Sequence, residues 1–243
     1  MVKGKLSGRE LKKLALDLLS RKDYQKALIE LFRLPPGQLV NTLFSFLYHT
    51  DEYIRCRAIT AMGSIVAEIA DKDMEKARVI MRRLMWNLND ESGGIGWGSP
   101  EAMGEILARH AGLAEEYRHV FISYARKDGN YLEHEILQRD LLRGVGRLSQ
   151  VRPEFVKEAV PYLIPYLKSE DAGVRGLAAW IMGLLKIEES RPHLEKLTGD
   201  GSELRMCSGA GIVTTRVKDL AEEAFEKLNR SMPNRGNELL RYI

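Results

Sequence analysis

Residues 51–63 read DEYIRCRAITAMG, and residues 171–183 read DAGVRGLAAWIMG. Set one over the other, Asp51 matches Asp171, Ile54 matches Val174, Arg55 matches Arg175, Ala58 matches Ala178 and Gly63 matches Gly183. An Asp standing just before apolar residues at helical spacing reads as a helix N-cap, its carboxylate accepting from free backbone N–H groups of the first turn. Two copies of one capped, amphipathic helix, 120 residues apart, predict a repeat architecture.

Further copies lie between them. Met62-Gly63, Met103-Gly104, Val145-Gly146 and Met182-Gly183 are each followed, two residues on, by Ile or Leu, and the glycines are spaced by 41, 42 and 37 residues. A glycine inside a helix costs about 1 kcal/mol relative to alanine. Four in register predict a packing reason, the close approach of a neighbouring helix. Each glycine-bearing helix follows another amphipathic segment, at 39–48, 74–88, 113–125 and 153–167. A fifth pair is expected at 191–197 and 217–228, with Glu226 at the glycine position. Residues 7–20 and 23–32 form one more pair ahead of the Pro35-Pro36-Gly37 break. The exception is 203–217, where strand formers flank Ser208-Gly209-Ala210-Gly211, the pattern of a β-hairpin.

The expected fold is therefore all-α: an α-solenoid, or α-α superhelix, of about five helix–turn–helix repeats with a small hairpin near the C-terminus. One domain is expected over 1–243, with a helical cap at 1–34, four repeats at 35–188 and an atypical terminal repeat at 189–243. Terminal repeats depart from the pattern because they close the stack.

Composition agrees with this reading and narrows function. Hydrophobic residues make up 44% of the chain, charged residues 29% and aromatics 7%, which suits helices better than a β-sandwich. The net charge of +3, from 37 basic and 34 acidic residues, lacks the dense basic excess of a dedicated nucleic-acid binder. The apolar runs are shorter than the ~20 residues of a membrane span, and the start of the chain is no signal segment. A soluble, cytoplasmic protein without membrane attachment is expected. Cys56 and Cys207 lie far apart, in no disulfide or zinc pattern, so reduced thiols are expected. Cys56, between Arg55 and Arg57, is either simply buried or a thiol of lowered pKa.

The D-x-x-V-R-x-x-A-x-x-x-x-G pattern at 171–183 resembles HEAT repeats of the phycobilisome-lyase-like type. Residues 83–106 (RLMWNLNDESGGIGWGSPEAMGEI), 128–134 (DGNYLEH) and 143–148 (RGVGRL) resemble an uncharacterised bacterial HEAT-repeat family. The resemblance spans most of the chain. It implies an armadillo-like fold and carries no settled biochemical role.

Within that frame the most distinctive segment is 89–105, where a glycine-rich connection carrying Trp97 precedes Ser99, a candidate N-cap, and Pro100. It reads either as a tight turn lidded by Trp97 or as a ligand site. Asp90, Glu91, Glu101 and Glu105 offer oxygens to a cation or a basic peptide, and the helix start offers N–H groups to an anion. No nucleotide motif is present: the segment follows a helix and ends in neither pattern of the phosphate-binding loops. His134-Glu135 begins a zinc-protease motif that fails at Gln138. Arg139, Arg143 and Arg147 form one helical stripe, which with Arg55 and Arg57 lines either an inner surface or a solvated face. The candidate binding residues are thus Asp90, Glu91, Trp97, Glu101, Glu105, His134, Arg139 and Arg143. No catalytic residue, metal ligand or cofactor is assigned. The leading reading is a non-enzymatic scaffold holding a protein or peptide partner on its concave face. The alternative is a DNA-binding or alkylpurine DNA glycosylase-type HEAT-like protein, drawing on Trp86, Trp97, Asp90 and Arg143. A bilin lyase rests on repeat similarity alone.

Overall fold

The computed structural model describes residues 6–89, 96–208 and 211–230. Helix α1 (Gly8–Ser20) starts at a reciprocal cap in which Ser7 Oγ accepts from the Glu10 N–H and Glu10 accepts from the Ser7 N–H. It pairs with α2 (Tyr24–Leu31). Five further pairs follow. Each has an outer member, A, and an inner member, B. The first pairs are α3 (Pro36–Phe44) with α4 (Glu52–Lys72), and α5 (Met74–Asn89) with α6 (Ser99–Arg109). The third is α7 (Ala111–Ser123) with α8 (Glu135–Val151). In the fourth, short turns around α9 (Val160–Leu163) precede α10 (Ala172–Leu185). The fifth is α11 (Arg191–Leu197), an antiparallel hairpin of β1 (Glu203–Ser208) and β2 (Gly211–Arg216), and α12 (Val217–Asn229). One apolar core runs unbroken from Leu11 to Leu228.

The B helices stack in sequence, α4 on α6, α6 on α8, α8 on α10 and α10 on α12. The register glycines are where they touch. A Cβ on Gly63 would meet Glu105 of α6, on Gly104 the Gly144 backbone of α8, on Gly146 the Trp180 ring of α10, and on Gly183 the Ala224 backbone of α12. Each glycine thus faces the next B helix. Asp51 and Asp171 are N-caps, accepting at 2.8 Å from the N–H groups of Tyr53 and Val174.

Three local expectations need correction. Residues 153–167 do not form one helix: they break into 3-10 turns at Pro153–Phe155, Lys157–Ala159 and Ile164–Lys168 around the single turn of α9. Pro161 and Pro165 lack the N–H groups a continuous helix would need. Ser99 is the first residue of α6 rather than its cap. Gly98 caps it, in the left-handed region (φ 73°) with its would-be Cβ against Leu47, and its N–H donates to Asp140 Oδ2 at 2.8 Å. Arg57 lines no inner surface. It is fully buried, donates to the Leu19 carbonyl at the end of α1 at 2.7 Å, and lies between the rings of Tyr24 and Tyr53. Its guanidinium satisfies carbonyls that α1 leaves free and so fastens the N-terminal pair to the first repeat.

Candidate functional site

The hairpin does not hang off the end of the stack. Leu204 packs on Gly176 of α10, where a Cβ would sit 2.9 Å from its side chain. Three residues further along β1, Cys207 pairs with Cys56 of α4, with Cα atoms 5.9 Å apart. That spacing is in the range a disulfide requires. The expectation of two cysteines unrelated to each other is therefore wrong: the fold brings them together as a pair. It failed because cysteines 151 positions apart in sequence meet only through the curvature of the fold. Gly176 and Cys56 are equivalent positions of the fourth and first repeats, yet about 10 Å of strand, with side-chain reach of about 5–6 Å at each end, bridges them. Four B helices side by side in a flat layer would span roughly 25–30 Å at 8–10 Å per step, so the stack curls and the hairpin crosses its concave side as a strap. Arg205 adds an ion pair to Glu52 of α4 at 2.6 Å, and Arg143 Nη2 of α8 donates to the Arg205 carbonyl at 3.0 Å.

Beneath the strap lies a cavity of about 570 Å³. Its floor is Thr60 of α4, Glu101, Glu105 and Arg109 of α6, and Arg143 and Arg147 of α8; Trp180, Leu220 and the strap's Met206 and Val213 supply apolar wall. The size is that of a site for a small molecule or a few peptide residues.

The charges on the floor are arranged unequally. Glu105 accepts from Arg109 Nε at 2.6 Å and from Arg147 Nε at 2.9 Å, so both arginines are committed to it. Arg143 Nη1 donates to Asp140 Oδ1 at 3.2 Å. Asp140 is buried and also takes the Gly98 N–H, and burial pushes its carboxyl above the usual range. Glu101 is 8% exposed, and its nearest cation, Arg143, stands 3.7 Å away, beyond hydrogen-bond reach. Burial pushes the Glu101 carboxyl up to about 7, against the opposing pull of Arg143. The floor thus holds one carboxyl, Glu101, that lines the cavity, accepts no hydrogen bond among the described residues and meets a cation only at 3.7 Å.

Of the residues singled out from sequence, Glu101, Glu105 and Arg143 come together here. Arg139 lies one turn away, its Nε donating to Asp171 Oδ1 at 2.8 Å. His134 is exposed and caps α8, accepting from the Ile136 N–H. Trp97 is half-buried, its indole N–H without a partner, and does not line the cavity. Asp90 and Glu91 lie outside the described residues, as does the loop at 92–95. Trp86, on α5, is 74% exposed. Sequence reasoning missed Trp180, Met206 and the cysteine pair. The signal available was the alignment of Cys56 with Gly176, the two positions the strap touches.

Among the described residues no helix is long and apolar enough to cross a membrane, and no group of His, Cys, Asp and Glu is placed to hold a metal ion.

No protein-family model matches the chain. A protein of Archaeoglobus fulgidus, itself described only as uncharacterized, is 26% identical over 202 residues, covering 82% of this chain and all of that one. Among solved structures, an engineered protein from a structural genomics programme superposes with a TM-score of 0.53 at 17% identity, over 90% of this chain and 96% of that one. A designed armadillo repeat protein in complex with the peptide (KR)4 superposes at 0.51 and 17%, over 90% of this chain and all of that one. The chain has the HEAT/armadillo-like repeat fold.

Proposed function

We propose that this repeat protein is a non-catalytic binding scaffold that takes a basic segment of a partner protein into the cavity beneath its strap. One observation carries the reading: Glu101 is buried, faces the cavity and accepts no hydrogen bond. A buried carboxylate is stable only when paired. A Lys or Arg side chain entering the cavity supplies the missing donor, and Trp180 offers a ring against which its stem or charge packs. Each cation of the floor already has a carboxylate partner, Arg109 and Arg147 sharing Glu105 and Arg143 serving Asp140. The designed armadillo protein of similar fold holds a Lys/Arg peptide, which supplies a convenient probe.

The test is fluorescence anisotropy of labelled (KR)4 against the wild-type chain and Glu101→Gln, at pH 8 and moderate salt. Saturable binding weakened at least about tenfold by the substitution is expected, the loss of one buried charge pair. Absence of binding, or equal binding by both, refutes the reading.

A further inference from the structure

The strap is built as a flap. Its base is fixed: Val217 N–H donates to the Ser202 carbonyl at 3.0 Å, Lys218 N–H donates to the Asp200 carbonyl at 2.9 Å, and Leu204 is buried on α10. Its far half meets α4 through β2, the Arg205–Glu52 ion pair and the cysteine bridge. Arg205, 58% exposed, pairs there with the half-buried Glu52, and Arg143 Nη2 donates to the Arg205 carbonyl at 3.0 Å. A two-stranded sheet alone is marginal in water. The covalent contact at that end is the bridge from Cys207 to Cys56. The two sulfurs also differ in access. Cys56 is 3% exposed, whereas Cys207 is only half-buried, and both line the cavity.

We infer that the Cys56–Cys207 disulfide is a redox latch: a dithiol reductant opens it, the strap swings from α4 about its base on α10 and α12, and the cavity is uncovered. This rests on the cavity being the binding site proposed above. The reaction balances as thiol–disulfide exchange. A thiolate of the dithiol attacks Cys207 Sγ, the more accessible sulfur, and forms a mixed disulfide there. The bond to Cys56 Sγ breaks, and the pair of electrons leaves with Cys56, which takes a proton. The second thiol of the reductant then attacks the mixed disulfide at the reductant's own sulfur. Cys207 leaves as a thiolate and is protonated, and the reductant departs as a cyclic disulfide. Two electrons and two protons have passed to the protein. The Gly211 carbonyl, 4.0 Å from Cys56 Sγ, is at hand to accept from the new thiol. A disulfide such as oxidised glutathione reverses the sequence and closes the latch.

The experiment uses the full chain, air-oxidised or treated with dithiothreitol, with the thiol count of each sample fixed by mass spectrometry after alkylation. Hydrogen exchange is read in 203–208 and 211–216, and the association rate of labelled (KR)4 is measured on the same samples. Reduction is expected to speed exchange in the strap at least about tenfold while α6 and α8 stay protected, and to raise the association rate. Cys56→Ser, which cannot close the latch, is expected to behave as the reduced protein under both conditions. Two free thiols in the air-oxidised sample, or a strap equally protected after verified reduction, overturn the latch. If the strap opens on reduction but (KR)4 binds neither form, the latch stands and the basic-segment reading falls. If (KR)4 binds both forms at one rate with unchanged strap exchange, the latch falls and the binding reading stands.

Discussion

Gly104→Ala is expected to destabilise the stack, and the structure sets the size of the effect. The added methyl carbon would sit 2.3 Å from Gly144 Cα and 2.5 Å from its carbonyl carbon and oxygen. Carbon atoms rest at about 3.5–4.0 Å, so α6 and α8 must part by more than 1 Å at that point. Both partners are backbone, and no rotamer change relieves the clash. Overpacking of this kind costs about 1–3 kcal/mol and occasionally more, while alanine returns about 1 kcal/mol of helix propensity. The parting also loosens contacts along the rest of the α6–α8 interface. A net loss of about 2 kcal/mol is expected, read as a lower urea midpoint at unchanged slope. Gly37→Ala is the control: a Cβ there meets nothing within 4 Å, and a gain of about 0.5 kcal/mol is expected from the stiffer unfolded chain. Equal midpoints for Gly104→Ala and wild type would refute the claim that these glycines exist to let the B helices touch.

Three further substitutions probe the fastening of the cap, the buried carboxyl and the strap. Arg57→Ala leaves the Leu19 carbonyl and its neighbours buried without a donor, and a loss of about 3 kcal/mol is expected in chemical denaturation; Arg57→Lys, with no planar group to lie between two tyrosines, rescues little. Glu101→Gln changes the pH dependence of stability. The folded carboxyl is raised to about 7 from 4.5, so between those values the folded state holds a proton the unfolded state has lost, and wild-type stability falls as pH rises through that window. The variant escapes the fall: it should match wild type near pH 4.5 and exceed it by about 3 kcal/mol at pH 8, measured by urea midpoints across pH. Cys207→Ser removes a bridge that closes a loop of 151 residues. The unfolded chain then regains up to about 5 kcal/mol of closure entropy, visible as a lower midpoint without reductant and no difference with it.

The B helices were legible because their signals are local. Asp51 and Asp171 cap their own helices, and the four glycines mark the interface by a cost that only close packing explains. The hairpin was legible for the same reason, as strand formers around a Ser/Gly turn. Where it goes was not. Leu204 on Gly176 and Cys207 on Cys56 are meetings between the first, fourth and last repeats, set by the curvature of the whole stack. Arg57 illustrates the limit from the other side. Charge and helical position place it with Arg55, but its neighbours Tyr24 and Leu19 belong to another helix pair, and they turn a surface arginine into a buried one. Of the candidate site, Glu101, Glu105 and Arg143 could be found because their helices carry them to one floor at i and i+4 spacing. His134, which stands in a motif fragment, caps α8 by accepting from the Ile136 N–H.

Calorimetric titration of (KR)4 into the wild-type chain at pH 7, repeated in buffers of different ionisation enthalpy, tests the binding of a basic segment at Glu101 most directly. A carboxyl that titrates near 7 is about half protonated there and becomes ionised against a bound cation, so about half a proton should be released per complex. Glu101→Gln should release none and bind more weakly. Binding of (KR)4 with no buffer dependence in the wild type, or no binding at all, would contradict the assignment of Glu101 as the group that receives the partner.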